Sequence, residues 1–274
     1  MSATITAATI ASAESIPYTN EDEAYQLMNT ALDRFIYLIE SLTPEDWARP
    51  TACIAWNVRD MVAHQAGGYA SGASYREMIR QYTSRPKPGQ LPEDAINALQ
   101  VGERAGKHPA ELINELKQPG KTAARNWAYG FRAIKWLATP HPVGGLMSLR
   151  HLMWVIHSRD TWMHRLDICR AAGRPFEQTR EHDGRINELV VLDTAGKLKN
   201  RLGSRGLTLV LTGTAGGTWK IGKAGPAAEL EMDTLDFNIL VSGRFSYTEG
   251  MKRARISGDK SLVENAFKDL LVLY

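Results

Sequence analysis

Cysteine is nearly absent from this sequence. Cys53 and Cys169 are its only two, too few for a disulfide framework or a zinc ribbon. Nothing beside either one marks it as an activated nucleophile, and a reducing, cytoplasmic setting is the expectation. Charge of one sign is lacking as well. The 33 Lys and Arg stand against 30 Asp and Glu, for a net charge of +3, and no basic run is interleaved with aromatics. Nucleic acid is therefore excluded as a partner. Long hydrophobic runs are missing too: Arg150 and Arg159 interrupt the longest candidate, which falls short of the roughly 18 residues of a membrane span. Residues 1–20 have no basic n-region, which argues against a signal peptide and for a loose tail.

What the sequence does contain is helical periodicity. Over Glu21 to Leu42, the residues Ala24, Leu27, Met28, Ala31, Leu32, Phe35, Leu38 and Ile39 form one apolar stripe. A second helix, Val58 to about Arg80, opens with Asn57 as N-cap and Asp60 at the third helical position, with Trp56 and Met61 placed for a hydrophobic staple. This helix carries His64. Three prolines between Ser84 and Pro92 mark a linker, and a third helix, Glu93 to Gln118, is weakened by Gly102, Gly106 and Pro109. A short helical stretch, Lys121 to Leu137, follows Pro119-Gly120. His108 and His141 lie beside prolines and read as solvated loop residues. A long helix runs from about Val143 to Ala172 and stops at Gly173, with Pro175 just beyond. Such spacing predicts an antiparallel four-helix bundle over residues 21–180.

The pattern then changes. Asp183 to Asn200 reads as a helix. Leu207 to Thr212, Thr218 to Ile221 and Ala228 to Met232 alternate like the strands of a β-meander. Thr234 to Ser242 reads as helix, Ala254 to Ile256 as a brief strand, and Lys260 to Tyr274 as a final helix. Residues 181–274 are thus expected to form a small α+β domain, and the whole chain is α+β in class.

Two motifs invite a chemical reading. Gly217-x-x-x-x-Gly222-Lys223 approaches a phosphate-binding loop, but Ala224 stands where a magnesium-ligating hydroxyl is needed and no long helix follows, so nucleotide binding is rejected. The stretch Arg159-Asp160-Thr161-Trp162-Met163-His164 is richer. At helical spacing His157, Asp160 and His164 lie within about 60° on one face, whereas His151 points away. Asp160 and His164 can offer a carboxylate oxygen and an imidazole nitrogen to one ion. Such a pair occurs commonly without metal, so a third ligand is required, and His64 on the second helix of the bundle can supply it. Two nitrogens and one carboxylate suit Zn²⁺ first, and Fe²⁺ or Ni²⁺ on the same donors.

The sequence around these residues resembles a known family. Trp56-x-Val58-Arg59-Asp60-x-x-Ala63-His64, followed by Asp160-x-x-x-His164-x-x-Asp167-Ile168-x-x-Ala171-x-Gly173, is similar to the mycothiol-dependent maleylpyruvate isomerases, DinB-like metal-binding four-helix bundles. The likeness extends through Leu207 to Ile221 and through Leu235-Asp236 to Gly243-Arg244, which resemble that family's sterol-carrier-like C-terminal domain. The resemblance implies that His64 and His164 are metal ligands, and that Asp160 stands where the family commonly has Glu. It also implies that Arg244 is an arginine directed at the active site. His157, one turn before Asp160, is a further candidate ligand. The expected function is then a mycothiol-dependent metalloenzyme. It would act on an electrophilic small molecule by thiolate addition, as a cis–trans isomerase or an S-transferase, and as a monomer or homodimer. A small-molecule sequestration protein and a metal-dependent hydrolase are the alternatives on the same fold.

Overall fold

The computed structural model describes residues 10–130, 132–140, 142 and 145–274. His141 and the first nine residues of the expected tail lie outside them. The chain forms two compact units, a helical one over residues 19–177 with 273–274, and a mixed one over residues up to 18 with 178–272.

Residues 10–18 are not the loose tail expected. Strand β1, Ala11–Ser12, pairs in parallel with residues Trp219 and Lys220, and Ala13 is fully buried. Glu14 reaches back to accept the Gly222 backbone N–H. Short polar composition hides such a strand because its stability comes from a sheet edge more than 200 residues away in sequence.

The helical unit is built on four long helices. Helix α1, Glu21–Glu40, is capped by Asn20, whose side chain accepts from the Glu23 N–H, and three acidic residues in its first turn complement the helix dipole. Its buried stripe is the one read from periodicity, from Ala24 through Ile39. A short α2, Pro44–Trp47, leads to α3, Val58–Ala73. Asn57 and Asp60 form a reciprocal capping box there, as the sequence placed them. Ser74 leaves helical geometry and caps α4, Tyr75–Tyr82, so the expected second helix is two. Helices α5, Pro92–Gly102, and α6, Pro109–Tyr129, divide where the glycines and Pro109 weaken the pattern.

Helix α6 runs straight through Pro119, against the expectation of a break. A proline inside a helix costs about 3 kcal/mol. Here Leu112, Leu116, Gly120, Ala123, Ala124 and Trp127 form a buried stripe packed on α1 and α3, and tertiary packing overrides the local preference. A hairpin of β2, Ala138–Pro140, and β3, Leu146–Ser148, precedes the last helix. That helix begins as α7, Leu149–His151, widens into a π turn over Leu152–Ile156, and continues as α8, His157–Ala172. Backbone bonds from Gly173 to Arg170 and from Arg174 to Cys169 close it in a Schellman motif. Arg174 then ties α8 to the Ser41 carbonyl and the Asp46 carboxylate.

In the mixed unit a π turn, Arg180–Gly184, opens α9, Arg185–Leu202. Strands β4, Gly206–Thr212, β5, Gly217–Ile221, β6, Pro226–Asp233, and β7, Arg255–Gly258, complete a sheet of order β1-β5-β4-β6-β7. This is not a meander: β6 pairs with β4 in parallel rather than with β5. To reach that side the chain after β5 crosses the start of β4, and two glycines make the crossing possible. Gly222 has φ +93°, and a Cβ on Gly206 would meet the Ala224 carbonyl oxygen at 2.3 Å. Helices α10, Thr234–Val241, α11, Tyr247–Met251, and α12, Lys260–Phe267, accompany the sheet. Helix α12 ends well before Tyr274: Asp269 takes φ 54°, and Val272 donates to the Val241 carbonyl. No helix among the described residues is long and apolar enough to cross a membrane.

Candidate metal centre

The capping box fixes where α3 starts, and so where His64 lies, two turns along it. The Schellman stop and the Arg174 contacts fix the other end of α8. Helices α3, α6 and α8 are packed in one bundle with α1, and within it His64, Asp160 and His164 converge. One donor atom from each lies within 4.8 Å of the other two. His164 Nε2 is 3.2 Å from Asp160 Oδ1, and His64 Nε2 is 3.5 Å from Asp160 Oδ2. Donors bound to a tetrahedral zinc at about 2.0–2.1 Å stand about 3.3 Å apart. The three residues read from the sequence therefore form one cluster, and its donor chemistry and spacing fit a divalent ion.

The electrostatics suit a cation. Burial disfavours ionisation of Asp160, but the two imidazoles, His164 above all, hold its carboxyl well below the usual range. Burial likewise opposes charge on His164, yet the Asp160 carboxylate and then Asp167 raise its pKa to about 9. Without metal, the site is an imidazolium clasped by carboxylates, and an ion entering it replaces a proton.

Several neighbours of the cluster escaped sequence reasoning. Asp167, almost fully buried, places Oδ2 3.4 Å from His164 Nδ1, the position of a carboxylate that orients a ligating imidazole. The Nδ1 atoms of His64 and His164 are both buried without a hydrogen bond, so the Asp167 contact is an ion pair at 3.4 Å, and His64 Nδ1 has no counterpart to it among the described residues. The Trp56 ring, expected as half of a staple, also walls the site, 4.8 Å from the His64 ring and 6.0 Å from that of His164. Gln65 donates from Nε2 to Asp160 Oδ2, Thr161 donates to Gln65 Oε1, and the Tyr69 hydroxyl lies 3.0 Å from that of Thr161. The available signal was adjacency, since Gln65 follows His64 and Thr161 follows Asp160.

His157 is not in the ligand cluster. Its ring stacks on Trp127 at 3.8 Å and 13°. Burial lowers its pKa to about 4 against the pull of Asp160, so it is a neutral packing residue near neutral pH. Cys169 is buried, which pushes its thiol pKa up. The lysine-bearing loop after β5 opens no helix, in keeping with the rejection of nucleotide binding. Arg244 belongs to the mixed unit, half-buried and just past α10. The last carbonyls of α10 accept backbone N–H groups from Gly243 and Arg244, so its side chain is not needed as their cap.

Comparisons with known proteins bear on the family and the fold. No curated protein matches the chain significantly. Among solved structures, the mycothiol-dependent maleylpyruvate isomerase is similar at a TM-score of 0.55, with 14% identity over 90% of this chain and 96% of the other. A histidine-to-alanine mutant of that isomerase gives 0.56 at the same identity and coverage. At this identity the likeness establishes the fold. The model of the mycothiol maleylpyruvate isomerase N-terminal domain matches residues 28–169, more than half of the chain and inclusive of His64, Asp160 and His164. The chain belongs to the mycothiol maleylpyruvate isomerase family.

Proposed function

We propose that this protein is a mycothiol-dependent metalloenzyme that adds a thiolate to an electrophilic small molecule, releasing it as the cis–trans isomer. The observation that carries the reading is the convergence of His64, Asp160 and His164 on one point between two helices of the bundle. Their two nitrogens and one oxygen leave coordination positions open, as a catalytic site requires and a structural one does not. When bound, the ion would supply the positive charge that lowers a thiol's pKa toward neutrality.

The chain's own residues then do the rest. His64 from α3, and Asp160 and His164 from α8, would hold the ion, with Asp167 beside the His164 ring to keep it in register. Trp56, packed against both imidazole rings, would shield them from water on that side. Attack of the thiolate sulfur on an activated double bond forms a C–S bond and leaves a single carbon–carbon bond free to rotate. Expulsion of the sulfur restores the double bond in the other geometry. Arg244 would pair with the substrate carboxylate and with the charge that develops during addition. Retention of the adduct would instead make the protein an S-transferase.

The test uses maleylpyruvate and mycothiol, the compounds named for the structural neighbours. Conversion should need both the thiol and a divalent ion, stop with a chelator, and resume on adding metal back. Stoichiometric binding of the substrate with no thiol-dependent turnover would refute the enzyme and leave a sequestration protein. Metal-dependent cleavage of the substrate by water, without thiol, would instead identify a hydrolase.

A further inference from the structure

Asp160 is held by more than the two histidines. Its Oδ2 accepts from Gln65 Nε2, and Gln65 is nearly fully buried, as are Thr161 and Tyr69. Gln65 Oε1 in turn accepts the Thr161 hydroxyl at 2.8 Å, and the Tyr69 hydroxyl stands 3.0 Å from the Thr161 oxygen. Each of the two helices therefore contributes a ligand and the residue next to it: His64 with Gln65 on α3, and Asp160 with Thr161 on α8. Tyr69 lies one turn beyond Gln65.

This chain of donors has a direction. If the Gln65 amide were reversed, its carbonyl oxygen would face a carboxylate oxygen, two acceptors with no proton between them. The amide N–H end therefore faces Asp160, and Oε1 faces the Thr161 hydroxyl, which lies 2.8 Å from it and 3.0 Å from the His157 carbonyl oxygen. The Tyr69 hydroxyl can then donate to the Thr161 oxygen. An aspartate side chain on its own rotates freely about its last bond, so either oxygen could approach an ion. Oδ2, 3.5 Å from His64 Nε2, is engaged by the Gln65 amide, and Oδ1, 3.2 Å from His164 Nε2, is the oxygen that carries no amide donor.

We propose that Gln65 is a positioning residue, and that the line Tyr69–Thr161–Gln65 pins Oδ2 of Asp160 so that Oδ1 is presented to the metal as a single-oxygen ligand. The inference rests on the metal-centre reading above and deepens it. It differs from a plain cross-link between α3 and α8, which would hold the helices together but leave metal affinity unaltered. An oriented carboxylate keeps its rotational freedom frozen before the ion arrives. Loss of such support around a metal ligand typically weakens binding about 10–100-fold.

The experiment measures Zn²⁺ affinity by chelator competition, and the visible absorption of the Co²⁺ form, on the full chain. Gln65→Leu removes the donor at similar volume. It should bind Zn²⁺ about 10–100-fold more weakly, and its Co²⁺ spectrum should change as the carboxylate turns. Thr161→Val releases the far end of the amide and should give a smaller loss, about tenfold, while Thr161→Ser keeps the hydroxyl and should restore wild-type affinity. Unchanged affinity and spectrum in Gln65→Leu, with only a lower melting temperature of the metal-free protein, would overturn the proposal in favour of a cross-link. If Gln65→Leu does not fold, Thr161→Val with wild-type affinity overturns it equally. Wild-type protein that takes up neither ion would sink the metal-centre reading itself, an outcome distinct from a relay that makes no difference.

Discussion

Metal uptake at this site should release a proton, and the amount should depend on pH in a way that ordinary histidines cannot imitate. Asp160 and Asp167 flank His164 and raise its pKa to about 9. An ion that takes Nε2 must displace the proton there. For a pKa near 9, about 0.9 of the metal-free molecules carry that proton at pH 8, against about 0.03 for an imidazole at the reference value of about 6.5. The sign follows. Raising the pH from 7 to 9 removes the competing proton, so apparent affinity should climb about fiftyfold over that range, most steeply below pH 8, and flatten above about 9.

Titration calorimetry with Zn²⁺ in buffers of different ionisation enthalpy reads the proton count directly. Release near zero from His164 at pH 8, or an affinity that is flat between pH 7 and 9, would refute the reasoning. Asp167→Asn removes one of the two flanking charges, so its break should move to lower pH by about one unit. Melting provides a cross-check. Because the folded pKa of His164 lies above its unfolded value, the proton's stabilising contribution is complete below about pH 6.5 and is lost as the pH rises through about 9. The metal-free protein should therefore lose melting temperature over that window, while the gain from added Zn²⁺ should grow.

His164→Ala should abolish stoichiometric Zn²⁺ binding while circular dichroism stays native. A melting temperature several degrees lower with metal content unchanged would mean the ring is only packing. Arg244→Ala should keep metal and fold and lose roughly 10²–10³ in thiol-dependent turnover, with Arg244→Lys recovering part, because lysine lacks the planar fork. Wild-type turnover in Arg244→Ala would deny it a catalytic role. Asn57→Ala removes the cap of the helix that carries His64 and should cost about 1 kcal/mol in denaturant unfolding. Unchanged stability would mean the capping box contributes nothing in this context.

Where the fold was legible, local chemistry and tertiary packing agreed. The stripe from Ala24 to Ile39 is buried as its spacing implies, because α1 is a surface helix with one apolar face. The Asn57–Asp60 box and the Gly173 stop are likewise where the sequence puts them. Where reading failed, the deciding interaction came from elsewhere. Pro119 is tolerated because its helix is clasped by α1 and α3. The parallel pairing of β6 with β4 depends on a chain crossing at Gly206 and Gly222 that no alternation of apolar residues encodes. Strand β1 exists only because β5 offers an edge to it.

The site divides along the same line. His64, Asp160 and His164 could be found because metal chemistry restricts ligands to a few residue types, and helical spacing says which can share a face. That spacing could not rank His157. It lies on the same face as Asp160, yet Trp127 from α6 stacks on its ring and spends it on packing. Nor could spacing reveal Gln65. A glutamine beside a histidine is unremarkable in sequence, and it acquires meaning only when Asp160 and Thr161 arrive from a helix about 95 residues away. Candidate ligands are thus partly legible because their chemistry is rare. The residues that orient them use hydrogen bonds that almost any polar side chain can make, and geometry alone selects which one does.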